Sequence, residues 1–363
     1  MIKGLERDAF VCDSTFRREQ ETIFSKHWLA VCEQKNFAVD SQETSTFRTV
    51  SVAGHALIVV RKPSGEISGF HNVCRHRGTR LLEESCGTLR NDCITCPYHA
   101  WSYNSDGKLL GAPNMTEVKD FERADFPLVT VETAPWAQLV FLNIDTSTSS
   151  FQQAMQPLLT RLENWKLNTL QIAHTLEYTV QANWKLIFQN YSECYHCPTV
   201  HPDLNQQTPY KTATTDLIAG PILGGPMQLA DGYQTISHDG QLVGPIFEGL
   251  TAEQRRSVYY YTVFPNMFVS AHPDYVMIHQ LHPLDVCTTQ VSCHFLSGPS
   301  ATVDSLAGAW KMWDTVNRQD WRVCELTQKG AQSPAYQPGP YSNLESMLAA
   351  FDQQYRQTMA HTS

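Results

Sequence analysis

Two short runs pair a cysteine with a histidine: Cys74-Arg75-His76 and Cys96-Pro97-Tyr98-His99. Nineteen residues separate His76 from Cys96. Within each run the spacing lets thiolate and imidazole face one point, so two such loops can converge on a single metal centre. A set of two cysteines and two histidines suits zinc, or a [2Fe–2S] cluster in which two histidines replace two cysteines on one iron. A zinc finger closes with both histidines together after its cysteines. Here each loop supplies one of each, which favours the cluster. The gap also holds Cys86 and Cys93, and Cys93-x₂-Cys96 offers a competing register. His71, three residues before Cys74, reads as a hairpin or core residue.

A second group follows at Glu193, His196 and His201. Five residues turn an α-helix about 140° past one full turn, so the two histidines cannot share a face of a straight helix. Pro198 disfavours helix at Cys197 and breaks the chain between them. A histidine on the last turn and one just past the break can then converge. Glu193 and His196, three apart, share a face. Two imidazoles and one carboxylate on one side of an iron leave positions open for O₂ and substrate. The competing reading is a pair of hydrogen-bonded core histidines beside a helix end.

The elements that must hold these groups change character along the chain. Residues 13–29 carry Phe16, Ile23 and Phe24 at helical spacing behind an Asp13/Ser14 cap. From about 45 to 145 come short β-type runs: Thr49–Val52, Ala56–Val60, Ile67–Phe70, Trp101–Tyr103, Leu109–Leu110, Leu128–Val131 and Leu139–Ile144. Asn104-Ser105-Asp106-Gly107 reads as a hairpin turn among them. Residues 150–165 predict a helix, 171–180 a strand, 183–197 a helix, and 256–298 antiparallel strands. A long helix is expected over 303–330, with Gly330 as its stop. The chain therefore reads as a β-rich module followed by an α+β domain.

Composition narrows the function classes. Apolar residues make up 42% and charged residues 17% of 363, which allows a sizeable core and excludes a disordered, collagen-like or coiled-coil chain. The net charge is −9 and no basic cluster is longer than Arg255–Arg256, so nucleic-acid binding lacks an electrostatic footprint. Apolar runs such as Ala56–Val60 and Leu139–Leu142 are far shorter than the ~20 residues of a membrane span. The N-terminal MIKGLERDAF has no apolar core of a secretory signal. Eleven cysteines, an odd count, argue against a full disulfide framework, and reduced thiols in the cytoplasm are expected.

The runs CRHRG (74–78) and CPYHAW (96–101) resemble the two loops of Rieske [2Fe–2S] domains. Asn183-Trp184-Lys185, followed by Glu193-x-Tyr195-His196-x₄-His201, resembles the mononuclear-iron motif of Rieske non-haem iron oxygenases, the aromatic-ring-hydroxylating dioxygenase superfamily. The two motifs stand in that family's order, and the length suits an oxygenase α subunit. The resemblance implies that Cys74 and Cys96 bind one iron of the cluster and His76 and His99 the outer one. The CPYH context selects Cys96 and leaves Cys86 and Cys93 as bystanders. It also implies His196 and His201 as ligands of a mononuclear Fe(II) and Glu193 as a bridging carboxylate. The third ligand belongs on a late helix, where Asp320 matches; Asp314 and Glu325 are the alternatives. Gln189 stands where relatives often carry an acid, which puts a two-carboxylate relay in doubt.

The implied fold is an all-β Rieske domain (41–148) plus an α+β helix-grip, START-like catalytic domain with a central antiparallel sheet (149–363). A helical segment (1–40) is expected to pack on the latter. The implied assembly is a head-to-tail homotrimer in which one subunit's cluster faces its neighbour's iron. Electrons would cross from His99 or His76 to Glu193 and His196 of the next subunit. They would come from NAD(P)H through a separate reductase, with or without a ferredoxin. No G-x-G-x-x-G follows a strand, so the chain itself is not expected to bind the nicotinamide.

The runs YSECYHC (191–197), NRQD (317–320) and PGPY (338–341) are similar to the branch acting on quaternary ammonium compounds: glycine betaine, choline, carnitine and stachydrine oxygenases. A cation calls for aromatic faces. Tyr259, Tyr260, Tyr261, Phe264, Phe268 and Tyr275 lie in the strands expected to line the pocket. The expected reaction is hydroxylation beside a cationic nitrogen, with N-demethylation as its outcome. The alternative is an aromatic-ring-hydroxylating dioxygenase, with the same rings as stacking walls. An electron carrier would have no use for the second domain, and a binding protein with two zincs fits only the bare spacing.

Overall fold

A computed structural model describes residues 2–37 and 44–360, and the chain forms two compact units. One unit is Phe24–Phe151; the other joins Met1–Ile23 to Gln152–Ser363.

Alternating side chains build the first unit from ten short strands. They are β1 (Leu29–Glu33), β2 (Thr46–Val52), β3 (His55–Arg61), β4 (Ile67–His71), β5 (Cys86–Thr88), β6 (Cys93–Thr95), β7 (Ser102–Asn104), β8 (Leu109–Gly111), β9 (Thr130–Trp136) and β10 (Leu139–Asn143). Seven form a sheet in the order β1-β10-β9-β4-β3-β2-β5, and β6-β7-β8 form a second. Leu57 to Val60 on β3 are fully buried, so that strand is covered on both faces. The turn after β7 is the expected one. Gly107 takes φ +78°, and a Cβ there would sit 2.5 Å from the Phe70 ring, so only glycine fits. The run expected at 128–131 begins only at Thr130. The short or polar β5 and β6 gave no alternation to read.

Strand β1 changes the expected boundary. It pairs antiparallel with β10, from Leu29 opposite Leu142 to Glu33 opposite Leu139. The expected 1–40 segment is therefore divided. Residues up to 23 belong with the second unit, whereas 24–37 belong with the β unit; 38–40 lie outside the described residues. Helix also ends earlier than the periodicity predicts. α1 (Asp8–Val11) and α2 (Asp13–Glu19) run into a single π-helical turn at Gln20–Phe24, and Cys12 rather than Asp13 or Ser14 occupies the cap position.

The second unit has a six-stranded antiparallel sheet built from β11 (Gln171–Val180), β12 (Ile222–Gln228), β13 (Ser257–Val263), β14 (Met267–Ala271), β15 (Val276–Asp285) and β16 (Thr288–Ser297). The order is β11-β16-β15-β14-β13-β12. Its helices are α3 (Phe151–Arg161), α4 (Trp184–Tyr191), α5 (Cys197–Val200), α6 (Pro202–Gln207), α7 (Ala307–Gln332) and α8 (Ser346–Ala360). This is the α+β architecture expected. α7 buries Trp313, Val316, Trp321 and Cys324 and runs two residues past Gly330 before stopping at Ser333. Among the described residues no helix is long and apolar enough to cross a membrane.

The Asn183-Trp184-Lys185 run has a structural role. Asn183 caps α4, its side chain accepting from Lys185 N. Trp184 Nε1 and Lys185 Nζ both donate to Glu19, at 2.9 and 2.6 Å, in a fully buried ion pair. Tyr355 on α8 adds a third hydrogen bond to that carboxylate at 2.6 Å. One motif thus ties the N-terminal helix and the last helix to α4.

Candidate metal centres

The loops at Cys74 and Cys96 are built alike. In each, the cysteine N–H donates to the carbonyl five residues on (Thr79, Trp101), and the residue four on (Gly78, Ala100) donates back to the cysteine carbonyl. Both of those residues sit at positive φ, +75° and +56°. The repeated turn buries each thiol at the edge of the β-unit core, Cys74 at 2% and Cys96 at 3% exposure. The His76 and His99 rings stand 4.8 Å apart, and His76 stacks on Trp101. The Tyr103 hydroxyl lies 3.4 Å from Cys74 Sγ and accepts from Arg75 N. Two buried thiols beneath two accessible imidazoles fit a [2Fe–2S] cluster with its histidine-bound iron outermost. Cys86 is exposed on β5, and Cys93 sits in β6 opposite Asn104, away from this turn pattern.

The second group is assembled differently from the expected helix. α4 stops at Tyr191, so Glu193 and His196 meet in a turn and not on a helical face. Glu193 accepts from the backbone N–H of Tyr195 and of His196. Pro198 falls in the first turn of α5, where a missing N–H costs nothing, and Pro202 does the same for α6. His196 therefore precedes α5 and His201 follows it. Their rings lie 5.2 Å apart. Asp320 on α7 completes the group: its Oδ1 is 2.7 Å from His201 Nε2 and 3.3 Å from His196 Nε2. One ligand atom from each of the three lies within 4.8 Å of the others.

Each imidazole is oriented through its other nitrogen. His196 Nδ1 donates to Glu193 Oε1 and His201 Nδ1 to Gln319 Oε1, both at 2.6 Å. This leaves both Nε2 atoms toward Asp320. Burial disfavours a charged His196, yet Asp320 and Glu193 hold its pKa up to about 10. Such concentrated negative potential at two imidazole nitrogens suits a divalent cation. Asp314 and Glu325 are engaged elsewhere. Asp314 pairs with Arg318 and accepts from the Tyr178 hydroxyl, while Glu325 accepts from Gln181 N. Gln189 donates to Asp352 on α8 at 2.8 Å. Cys194 and Cys197 are joined as a disulfide around His196, where reduced thiols were expected; the other described cysteines are free.

A cleft of about 240 Å³ opens beside this group, walled by Glu193, His196 and Asp320. Its aromatic faces are Tyr191, Tyr195, Tyr210, Tyr260 and Trp313. Of the six strand aromatics expected there, only Tyr260 lines it. Tyr259 and Tyr261 point to the other face of β13, against Trp165 and Asp216. Phe264 packs with Trp184 and Phe351, Phe268 lies behind Tyr191, and Tyr275 stacks on His272. Trp313 was legible: Trp313, Val316 and Asp320 share one helical face at i, i+3, i+7. Gln319 had no comparable signal.

A Rieske [2Fe–2S] domain matches residues 27–122, and the ring hydroxylating alpha subunit (catalytic domain) matches residues 164–361. The chain belongs to the ring-hydroxylating α subunit family: it is a Rieske-type oxygenase with a [2Fe–2S] cluster and a mononuclear non-haem iron. It is 27% identical over 369 residues to the glycine betaine monooxygenase oxygenase subunit of Pseudomonas aeruginosa, covering 92% of this chain and 83% of that one. The quaternary ammonium Rieske monooxygenase CntA, solved with L-carnitine, has a similar fold. Its TM-score is 0.74 at 22% identity, covering 98% of this chain and 96% of the other. Naphthalene 1,2-dioxygenase from Rhodococcus sp. reaches a TM-score of 0.78 at 18% identity, covering 99% and 95%.

Proposed function

We propose that this oxygenase hydroxylates the carbon beside the cationic nitrogen of a small betaine, so that an N-methyl group is released as aldehyde. The observation that carries this reading is the cleft, where five aromatic rings surround a space bounded by two carboxylates. Ring faces and nearby carboxylates both attract a cation, and neither asks it for a hydrogen bond that a quaternary nitrogen cannot give. Resemblance to the betaine enzyme, which extends over nearly the whole chain, supports the same substrate class.

In this reading Cys74, His76, Cys96 and His99 hold the cluster, and His196, His201 and Asp320 hold the mononuclear iron. That iron, when bound, supplies activation of O₂ for insertion into a C–H bond. The chain's own residues do the rest. Glu193 and Gln319 keep a proton on Nδ1 of their histidines, so that each Nε2 is free to ligate. Tyr260 and Trp313 orient the cation. Tyr191 and Tyr195, flanking Glu193, exclude water from the reacting carbon. The working assembly is a cytoplasmic homotrimer fed by a separate NAD(P)H-dependent reductase, with or without a ferredoxin. Glu193 is the point at which an electron from a neighbouring subunit's cluster enters; inter-subunit electron transfer is described for CntA.

The test is a substrate panel with a surrogate reductase. Formaldehyde release from glycine betaine, carnitine or choline supports the reading. Exclusive formation of cis-dihydrodiols from arenes, with no quaternary amine consumed, moves the chain to ring dihydroxylation.

A further inference from the structure

We propose that Tyr260 and His272 form a polar inner end of the cleft that binds an oxygen atom of the substrate, a few bonds from its cationic nitrogen; this rests on the quaternary-ammonium reading above. His272, just past β14, is fully buried, and neither ring nitrogen has a hydrogen-bond partner among the described residues. The buried hydroxyl of Tyr260 has none either. The two rings meet edge to face at 6.5 Å. His272 also stands edge-on to Trp313 at 5.7 Å, so it backs directly onto two residues of the cleft wall.

The hydroxyls of the neighbouring tyrosines Tyr191 and Tyr275 are engaged. Tyr191 shares a hydrogen bond with Ser270, and Tyr275 donates to Ile236 O while accepting from Trp313 Nε1. Three unpaired polar atoms, on two side chains that meet edge to face, thus gather beside Trp313. Packing alone would be better served there by two phenylalanines, because an unpaired buried polar atom is costly. Burial holds the His272 pKa well below its usual value, so the ring is neutral. A neutral N–H and a phenol O–H can grip a carboxylate or hydroxyl oxygen without placing a positive charge near the cation. Lys211 at the mouth is the rival anchor, but it is exposed and lies over the Tyr210 ring. An exposed ammonium discriminates weakly because water and salt compete for it.

Binding to the holoenzyme compares glycine betaine with ethyltrimethylammonium, which carries a similar cation and no oxygen. Wild type is expected to prefer the betaine. Tyr260→Phe and His272→Phe should each cut that preference at least tenfold. Without ligand, both variants should melt no lower than wild type, since each deletes polar atoms that have no internal partner. Preference retained in both variants overturns the proposal. So does a lower melting temperature in both, or a preference lost in Lys211→Met and kept in Tyr260→Phe. Equal wild-type affinity for the two ligands overturns the oxygen subsite alone, whereas no binding of either overturns the quaternary-ammonium reading and this one with it.

Discussion

Glu193 spends one carboxylate oxygen on two backbone N–H groups of its own turn and the other on His196 Nδ1. The side chain therefore shapes the turn and touches the imidazole at once. Glu193→Gln removes the charge and forces an amide N–H onto one of those donors. We expect both metals to be retained in iron and sulfide analysis and cluster reduction to stay fast. Turnover should fall by about 10² or more, since the bridging charge is lost from the electron path while both sets of metal ligands remain. Normal turnover would remove Glu193 from the electron path. A second residue-scale case is Lys185, fully buried against Glu19. Lys185→Met leaves that carboxylate uncompensated and should cost about 3–5 kcal/mol in unfolding experiments. Adding Glu19→Gln should return much of the loss, because Trp184 and Tyr355 keep an acceptor. Side chains of this kind were only half legible. The metal-binding types announce themselves by spacing. The strand aromatics did not, because period two sends Tyr260 to one face of β13 and both Tyr259 and Tyr261 to the other, and the residue types alone do not say which face the cleft takes.

At the scale of elements, the decisive piece is the one-turn α5, with a candidate iron ligand at each end. Pro198 reads as a break, yet it starts a helix, as Pro202 does for α6, which is why the two histidines converge by a route the periodicity of 183–197 did not reveal. α7 was the easier case, since 26 residues of amphipathic pattern leave little choice of face. The loop before β13 is held by a single buried acid: Asp274 Oδ2 accepts from the N–H groups of Val243 and Gly244. Burial pushes this carboxyl up to about 6, from an ordinary 3.8. For an acid, a raised folded pKa means that ionisation opposes folding. The penalty grows as pH rises from about 4 to about 6 and is complete above that. Asp274→Asn should therefore be more stable than wild type at pH 7.5, by up to about 3 kcal/mol. The difference should shrink toward zero by pH 4 in parallel thermal melts. A constant difference across that range would show that Asp274 is charged at no cost.

For the whole molecule, the proposed trimer, wired between subunits, makes a prediction that no isolated chain can satisfy. Take His99→Ala, expected to lose the cluster signal, and His196→Ala, expected to lose the mononuclear iron. Each alone should be inactive. Trimers reassembled or co-expressed from both should recover measurable turnover, because some interfaces join an intact cluster to an intact iron site. No recovery in trimers shown to contain both chains would confine electron transfer to single subunits.

The β unit is spliced into the other unit's chain after only 23 residues, and this has a consequence for the order of manufacture. Every residue of the Cys74 and Cys96 loops has left the ribosome long before the second unit is finished. Glu19, by contrast, emerges early and must wait for Lys185, 166 residues later, and for Tyr355, 336 residues later. At roughly 5–20 residues per second, the first of those waits is about 8–30 s and the second about twice as long. The nascent chain thus offers a finished cluster site while its first helices still lack the charge that allows them to be buried.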